Sequence, residues 1–219
     1  MIYTIDKRFT SDVERTDRVL EVAEAFGLGL DDKEFVIFDH QEIEVQPGDV
    51  VYITGQSGSG KSVLLRELSA RMKADGLTVA DIDAVELLDK PVIDQIGKDV
   101  AQALNLLSLA GLNDAYLFIR RPSELSDGQR YRFRLAKIIE SGAKVWVADE
   151  FLAVLDRITA KALALNLRRT AKKAGATLMV ATTHTDMVQD LAPNLYIEKR
   201  YREKIHVSRP EQEEKSEAT

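Results

Sequence analysis

The chain has 219 residues, 45% of them apolar and 30% charged, enough for one α/β domain with a sizeable core and a side lobe. No apolar run is long enough to span a bilayer, and the opening MIYTIDKRFT lacks the basic-then-apolar order of a secretion signal. A formal net charge of −6 argues against a protein that coats nucleic acid, and the absence of cysteine excludes disulfides and thiolate metal sites, which fits a cytoplasmic location.

Apolar residues recur with helical spacing through residues 11–26, where Val13, Leu20, Val22, Ala23, Ala25 and Phe26 stand among charges until GLGL stops the pattern. Residues 1–30 are thus read as a strand/helix extension. FVIF (35–38), EIEV (42–45), the turn QPGD and the run VVYIT then form a β-rich lead-in to a domain over 31–207. A helix from about Lys61 stops at Gly76, and the strand LTVADI follows. Two or three helices between Pro91 and Ser141 precede the strand KVWVAD, a helix over 158–173, the strand TLMVATT, and a final pair around NLYIEK and KIHVS. This alternation predicts a mostly parallel sheet wrapped by helices, with ligands beyond the carboxyl ends of its strands. The closing stretch, 208–219, is acidic and poor in apolar residues, which predicts disorder. Two basic clusters are candidates for phosphate contact. Arg168, Arg169, Lys172 and Lys173 read as a wet helix face, and Lys199, Arg200, Arg202 and Lys204 form the second.

GQSGSGKS follows an apolar strand and opens a helix, the context in which a G-x-x-x-x-G-K-[ST] loop binds phosphate. Gly55, Gly58 and Gly60 let the loop curl, so that the N–H groups of Gln56, Ser57, Ser59 and their neighbours face an anion at a helix N-terminus. Lys61 is expected to reach the β- and γ-phosphates and Ser62 to offer its hydroxyl to Mg²⁺, with Val63 next in the helix. KVWVADE reads as a buried strand that ends in Asp149, a carboxylate for Mg²⁺, and Glu150, placed to polarise a water in line with the γ-phosphorus. His184 follows TLMVATT at its carboxyl end, within reach of a γ-phosphate oxygen or the attacking water, whereas His40 and His206 read as surface residues. Ser126 stands at the predicted start of the helix running to Ser141. Its hydroxyl, the nearby N–H groups and the helix dipole all suit an anion.

GQSGSGKS, LSDGQR, VWVADE, FLAVLD and TTHTD occur in the order seen in ATP-binding cassette ATPases, and the chain resembles that family over about residues 33–200. The resemblance implies an α/β P-loop NTPase fold with a mostly parallel sheet, a β-rich N-terminal segment and a short helical lobe (about 90–141) carrying the signature motif. It also implies hydrolysis of ATP with Mg²⁺, in a sandwich dimer where each nucleotide lies between one phosphate loop and the signature of a second cassette. Carried over, it makes Ser126 and Gly128 donors to the γ-phosphate on the opposite subunit. Glu150 becomes the general base, and Asp156 part of the segment that communicates across the seam. Gln95 in VIDQIG is the candidate for the glutamine that senses Mg²⁺ and γ-phosphate. Phe26 is the candidate adenine stacker, with core packing as its competing role. Asp127 stands where glycine is commonest in the family, and a carboxylate aimed at phosphate would repel it. The short lobe is the part by which transporter subunits grip a membrane partner. On that ground the favoured expectation is a soluble, non-transporting ATPase acting as a homodimer. The alternatives are the energy-coupling subunit of a membrane transporter, or a nucleotide-dependent interaction module with little turnover. Either a membrane protein or a nucleic acid is a further candidate partner.

Overall fold

Two sheets carry the fold in the computed structural model, which describes residues 1–11, 13–30, 33–201 and 203–210. Ile2–Ser11 (β1) and Lys33–Glu44 (β2) form an antiparallel pair, so FVIF and most of EIEV belong to one long strand. The main sheet comprises Val50–Thr54 (β3), Val79–Asp81 (β4), Val145–Ala148 (β5), Thr177–Thr182 (β6), Leu195–Lys199 (β7) and Ile205–Ser208 (β8). Its order is β4-β5-β6-β3-β7-β8, parallel throughout except for β8. Every residue of β3, β5 and β6 is buried, which is why these strands read as unbroken apolar runs rather than alternating ones.

The helices are Asp17–Phe26 (α1), Lys61–Ala74 (α2), Val100–Leu109 (α3), Ala115–Phe118 (α4), Asp127–Ser141 (α5), Arg157–Ala174 (α6) and Val188–Leu191 (α7). Side-chain caps set several starts: Thr16, Asp99, Ser126 and Asp156 each accept a backbone N–H from the first turn. Two cores flank the sheet. On one face α2 and the β1–β2 pair bury Tyr3, Ile5, Phe38, Leu64, Leu68 and Val147; on the other, α3, α5 and α6 close over Tyr52, Trp146 and Phe133. Residues 2–11 therefore share the core of the residues that follow.

Several residues differ from their sequence reading. Phe26 is 76% exposed at the end of a helix whose one buried residue is Ala23, so it does not pack in a core. Lys199 is buried rather than part of a surface basic cluster, since its ammonium closes the β7–β8 turn on the carbonyls of Arg200 and Glu203 and lies 5.7 Å from the centre of the Phe38 ring. Burial also lowers its pKa. Ser208 lies in β8 and Arg209 pairs at 3.1 Å with the buried Asp49, so order extends into the predicted tail. Arg202 and residues 211–219 lie outside the described residues.

Candidate nucleotide site

The loop after β3 owes its shape to glycine. Gly55, Gly58 and Gly60 have φ of 142°, 71° and 105°, a region that L side chains rarely enter. At Gly55 a Cβ would also collide with the Lys199 carbonyl, and at Gly60 it would press against Ile37 of β2. The loop is thus pinned between β7 and β2 while its open side faces solvent. Lys61 lies across it, its ammonium donating to the carbonyls of Gly55 (2.8 Å) and Gln56 (2.7 Å). Burial lowers the Lys61 pKa, and the carboxylates of Asp149 and Glu150 act against that. The buried Ser59 hydroxyl has no hydrogen-bond partner among the described residues, a donor left for a ligand.

At the end of β5 the chain turns sharply. Glu150 and Leu152 take φ of 43° and 56°, strain of order 1 kcal/mol each for non-glycine residues. Main-chain bonds hold the turn: Phe151 N–H donates to Ala181 O (2.9 Å), and Leu152 N–H to the Tyr131 hydroxyl (3.2 Å). Phe151 and Leu152 enter the core, and this forces the Glu150 side chain out to solvent. Glu150 N–H donates to Asp149 Oδ1 at 3.0 Å.

His184 follows β6 with its N–H on Thr182 Oγ1 (3.2 Å) and its carbonyl accepting from the Tyr52 hydroxyl (2.6 Å). Tyr52 stacks on Tyr196 with ring centres 5.9 Å apart, so the backbone of His184 is fixed from below while its imidazole stays half-exposed. Two residues on, Asp186 forms a two-pronged ion pair with Arg157, which holds its carboxyl below the usual range. This pair ties the His184 loop to the start of α6, where Asp156 is the cap. Nothing in the one-dimensional pattern marks the Arg157–Asp186 link.

Ser126 caps α5 in a reciprocal arrangement: Gln129 N–H donates to its Oγ (3.3 Å), and Ser126 N–H donates to Gln129 Oε1 (2.9 Å). Asp127 turns back on its own helix and pairs with Arg130, which also donates to Leu125 O (2.6 Å). Its charge is thus partnered within the chain. Gly128 sits where a Cβ would come within 2.8 Å of Leu155, so the start of α5 packs directly on the turn after β5. The Gln95 side chain is bonded to the segment that precedes it. Its amide donates to the carbonyls of Leu88 (2.9 Å) and Lys90 (2.6 Å) and accepts from Leu88 N–H (2.9 Å), which spends it on the loop before.

A cavity of about 250 Å³ lies between the end of β4, the start of α5 and the turn after β5, where Asp83, Asp127, Arg130, Tyr131, Arg134, Asp149 and Glu150 line it. Sequence reasoning missed Asp83, although it lies at the carboxyl end of the strand predicted at LTVADI, where such a sheet gathers ligands. Burial, then the charges of Asp81 and Asp149, raise its pKa, with Arg134 opposing. Buried Tyr131 has its pKa raised above the usual phenol range by desolvation. The hydroxyl and carboxylate oxygens of Ser62 and Asp149, the free Ser59 hydroxyl and the Lys61 ammonium suit a phosphate chain with a hard divalent cation.

A phosphate loop between the central strand and its helix, with an acid-tipped strand two places away, defines a P-loop nucleotide-binding domain. A family model described as ABC transporter matches residues 38–153, and the chain belongs to that family as an ATP-binding cassette, an ATPase domain. The methionine import ATP-binding protein MetN 1 of Oceanobacillus iheyensis is 24% identical over 188 residues, covering 70% of this chain and 55% of that protein. The cell division ATP-binding protein FtsE of Streptococcus pneumoniae is 28% identical over 184 residues, covering 68% of this chain and 79% of the other. The dimeric structure of MJ0796, a bacterial ABC transporter cassette, superposes with a TM-score of 0.70 at 16% identity, covering 95% of this chain and 98% of that one, which establishes the fold. The chain spans 55–57% of the length of three methionine import relatives that it matches. No helix among the described residues is long and apolar enough to cross a membrane.

Proposed function

We propose that the chain binds and hydrolyses Mg·ATP as one of two cassettes and transmits the resulting closure to a membrane partner, as the energy-coupling subunit of a transporter. The observation that carries the transport reading is that similar proteins are named import ATP-binding proteins, for methionine and for sulfate or thiosulfate. The favoured expectation of a non-transporting ATPase, drawn from the short lobe, gives way to its alternative.

ATP's phosphates enter the open loop, and Lys61 moves from the Gly55 and Gln56 carbonyls to the β- and γ-phosphates while the amides of residues 56–62 donate inward. Ser62 and Asp149 would hold Mg²⁺, which would supply positive charge against the phosphate oxygens. Glu150, held outward by its strained turn, accepts a proton from the water in line with the γ-phosphorus. His184 donates to a γ-phosphate oxygen from its fixed backbone. Ser126 and the first N–H groups of α5 supply the same service to the nucleotide of the opposing cassette, a second copy of this chain. Their bonds in one chain run within the helix start, leaving the outer face of the cap for that anion. Asp127, paired with Arg130, adds little repulsion.

Glu150→Gln should accumulate as a dimer in Mg·ATP, read by light scattering after gel filtration, and revert to monomer with ADP. A monomer under all conditions would sink the sandwich. In cells, the chain should sediment with membranes and be released by alkaline wash; complete recovery in the soluble fraction would overturn the transport reading and leave the ATPase intact.

A further inference from the structure

The main sheet brings a third carboxylate beside Asp149 and Glu150. Strands β4 and β5 run parallel with Val79 opposite Val145, Ala80 opposite Trp146 and Asp81 opposite Val147. Just past the last of these pairs, Asp83 and Asp149 line the same cavity. The intervening residues are committed elsewhere: Asp81 Oδ1 caps the short turn at Ile82–Ala84 by accepting from Asp83 N–H (3.0 Å), and Ile82 is fully buried. Asp83 is then the first side chain beyond β4 free to face the cavity that Asp149 and Glu150 also line.

Two further observations leave this place to Asp83. Gln95, the glutamine that the chain's motifs nominate for cation sensing, is spent on three bonds to residues 88 and 90. Arg130 and Arg134 line the same cavity: Arg130 is taken by Asp127 and Leu125 O, while Arg134, whose charge acts on Asp83, has a buried Nε with no partner among the described residues. Four carboxylates, those of Asp83, Asp127, Asp149 and Glu150, therefore share the cavity with two guanidiniums, one of them paired with Asp127. An oxygen-rich wall beside a metal carboxylate is what a hard, water-carrying divalent cation takes.

We propose that Asp83 is a further binding residue of the nucleotide site: it accepts a hydrogen bond from a water on the divalent cation carried with ATP, beside Asp149. The proposal rests on the assignment of Asp149 to that cation. It makes β4, rather than the segment at Gln95, the element through which the helical lobe senses a loaded site, because residues 82–84 lead on toward the lobe.

The test uses Mn²⁺ in place of Mg²⁺ and a non-hydrolysable ATP analogue. Mn²⁺ affinity of the protein–analogue complex is read by electron paramagnetic resonance, and analogue binding without metal by calorimetry in EDTA. Asp83→Ala and Asp83→Asn should each weaken Mn²⁺ about tenfold, the scale of a lost outer-shell ligand, with metal-free binding unchanged and Asp83→Glu restoring most of the affinity. Mn²⁺ affinity within twofold of wild type in Asp83→Ala would overturn the proposal, and so would a parallel loss of metal-free binding, which marks a merely structural role. Asp149→Ala run alongside separates the two levels. If it too leaves Mn²⁺ affinity unchanged, the assignment of Asp149 fails and takes this inference with it; if it alone loses the metal, only Asp83 is refuted.

Discussion

The phosphate-loop half and the helical lobe are built on opposite principles. Around β3, β5 and β6 every strand residue is buried, and the chemistry is placed by backbone: glycines at positive φ, a strained turn at Glu150, and a histidine fixed through its main chain. The lobe, about residues 90–141, starts with short helices and single turns, and its Val100, Tyr116 and Ile119 are more than half exposed. One long helix, α5, joins it to the rest, through Phe133, Leu135 and Ile138 in the core and Gly128 against Leu155. The difference teaches that the phosphate-binding half is shaped by backbone constraints within a buried sheet, whereas the lobe depends on how α5 packs for its place on that sheet.

Four changes break or sharpen that contrast. Lys61→Ala strikes the phosphate-binding half at its ligand and should lower kcat/KM for ATP at least a thousandfold, about 4 kcal/mol, with an unchanged melting temperature. A melting temperature that falls with it would mean the lysine props the loop rather than binding phosphate. Phe133→Ala empties the junction of a ring that is fully buried and should cost about 3–4 kcal/mol in urea unfolding, with the lobe losing amide protection before the sheet does. Gly128→Ala overpacks the same junction against Leu155. A loss of about 2 kcal/mol is expected, together with failure of the Glu150→Gln dimer to form even though ATP still binds the single chain. Smallest, Tyr116→Ala on the exposed lobe should change stability by less than about 0.5 kcal/mol and leave the ATPase rate of the isolated chain as it was. Any large effect there would show that α4 is coupled to the sheet without α5.

The loop at 55–62 and the acids at 149 and 150 were legible because their chemistry is local: a glycine pattern, a helix start and a strand end lie within a few residues of one another. The start of α5 was equally legible, since Ser126 and Gln129 form a cap within one turn. Side-chain direction was not. Asp127 turns to Arg130, Gln95 to the 88–90 loop and Lys199 into the β7–β8 turn, and each choice follows from neighbours that the motif does not contain. Phe26 shows the converse, an apolar residue at helical spacing whose helix finds little to pack on.

What the amino-acid order determined by itself was the set of elements, their mostly parallel pairing and the phosphate loop, because periodicity, glycine and capping act over a few residues. Only the tertiary structure decided which carboxylates share a cavity. Asp83 and Asp149 are 66 positions apart in the chain and line one cavity because two paired parallel strands end beside it.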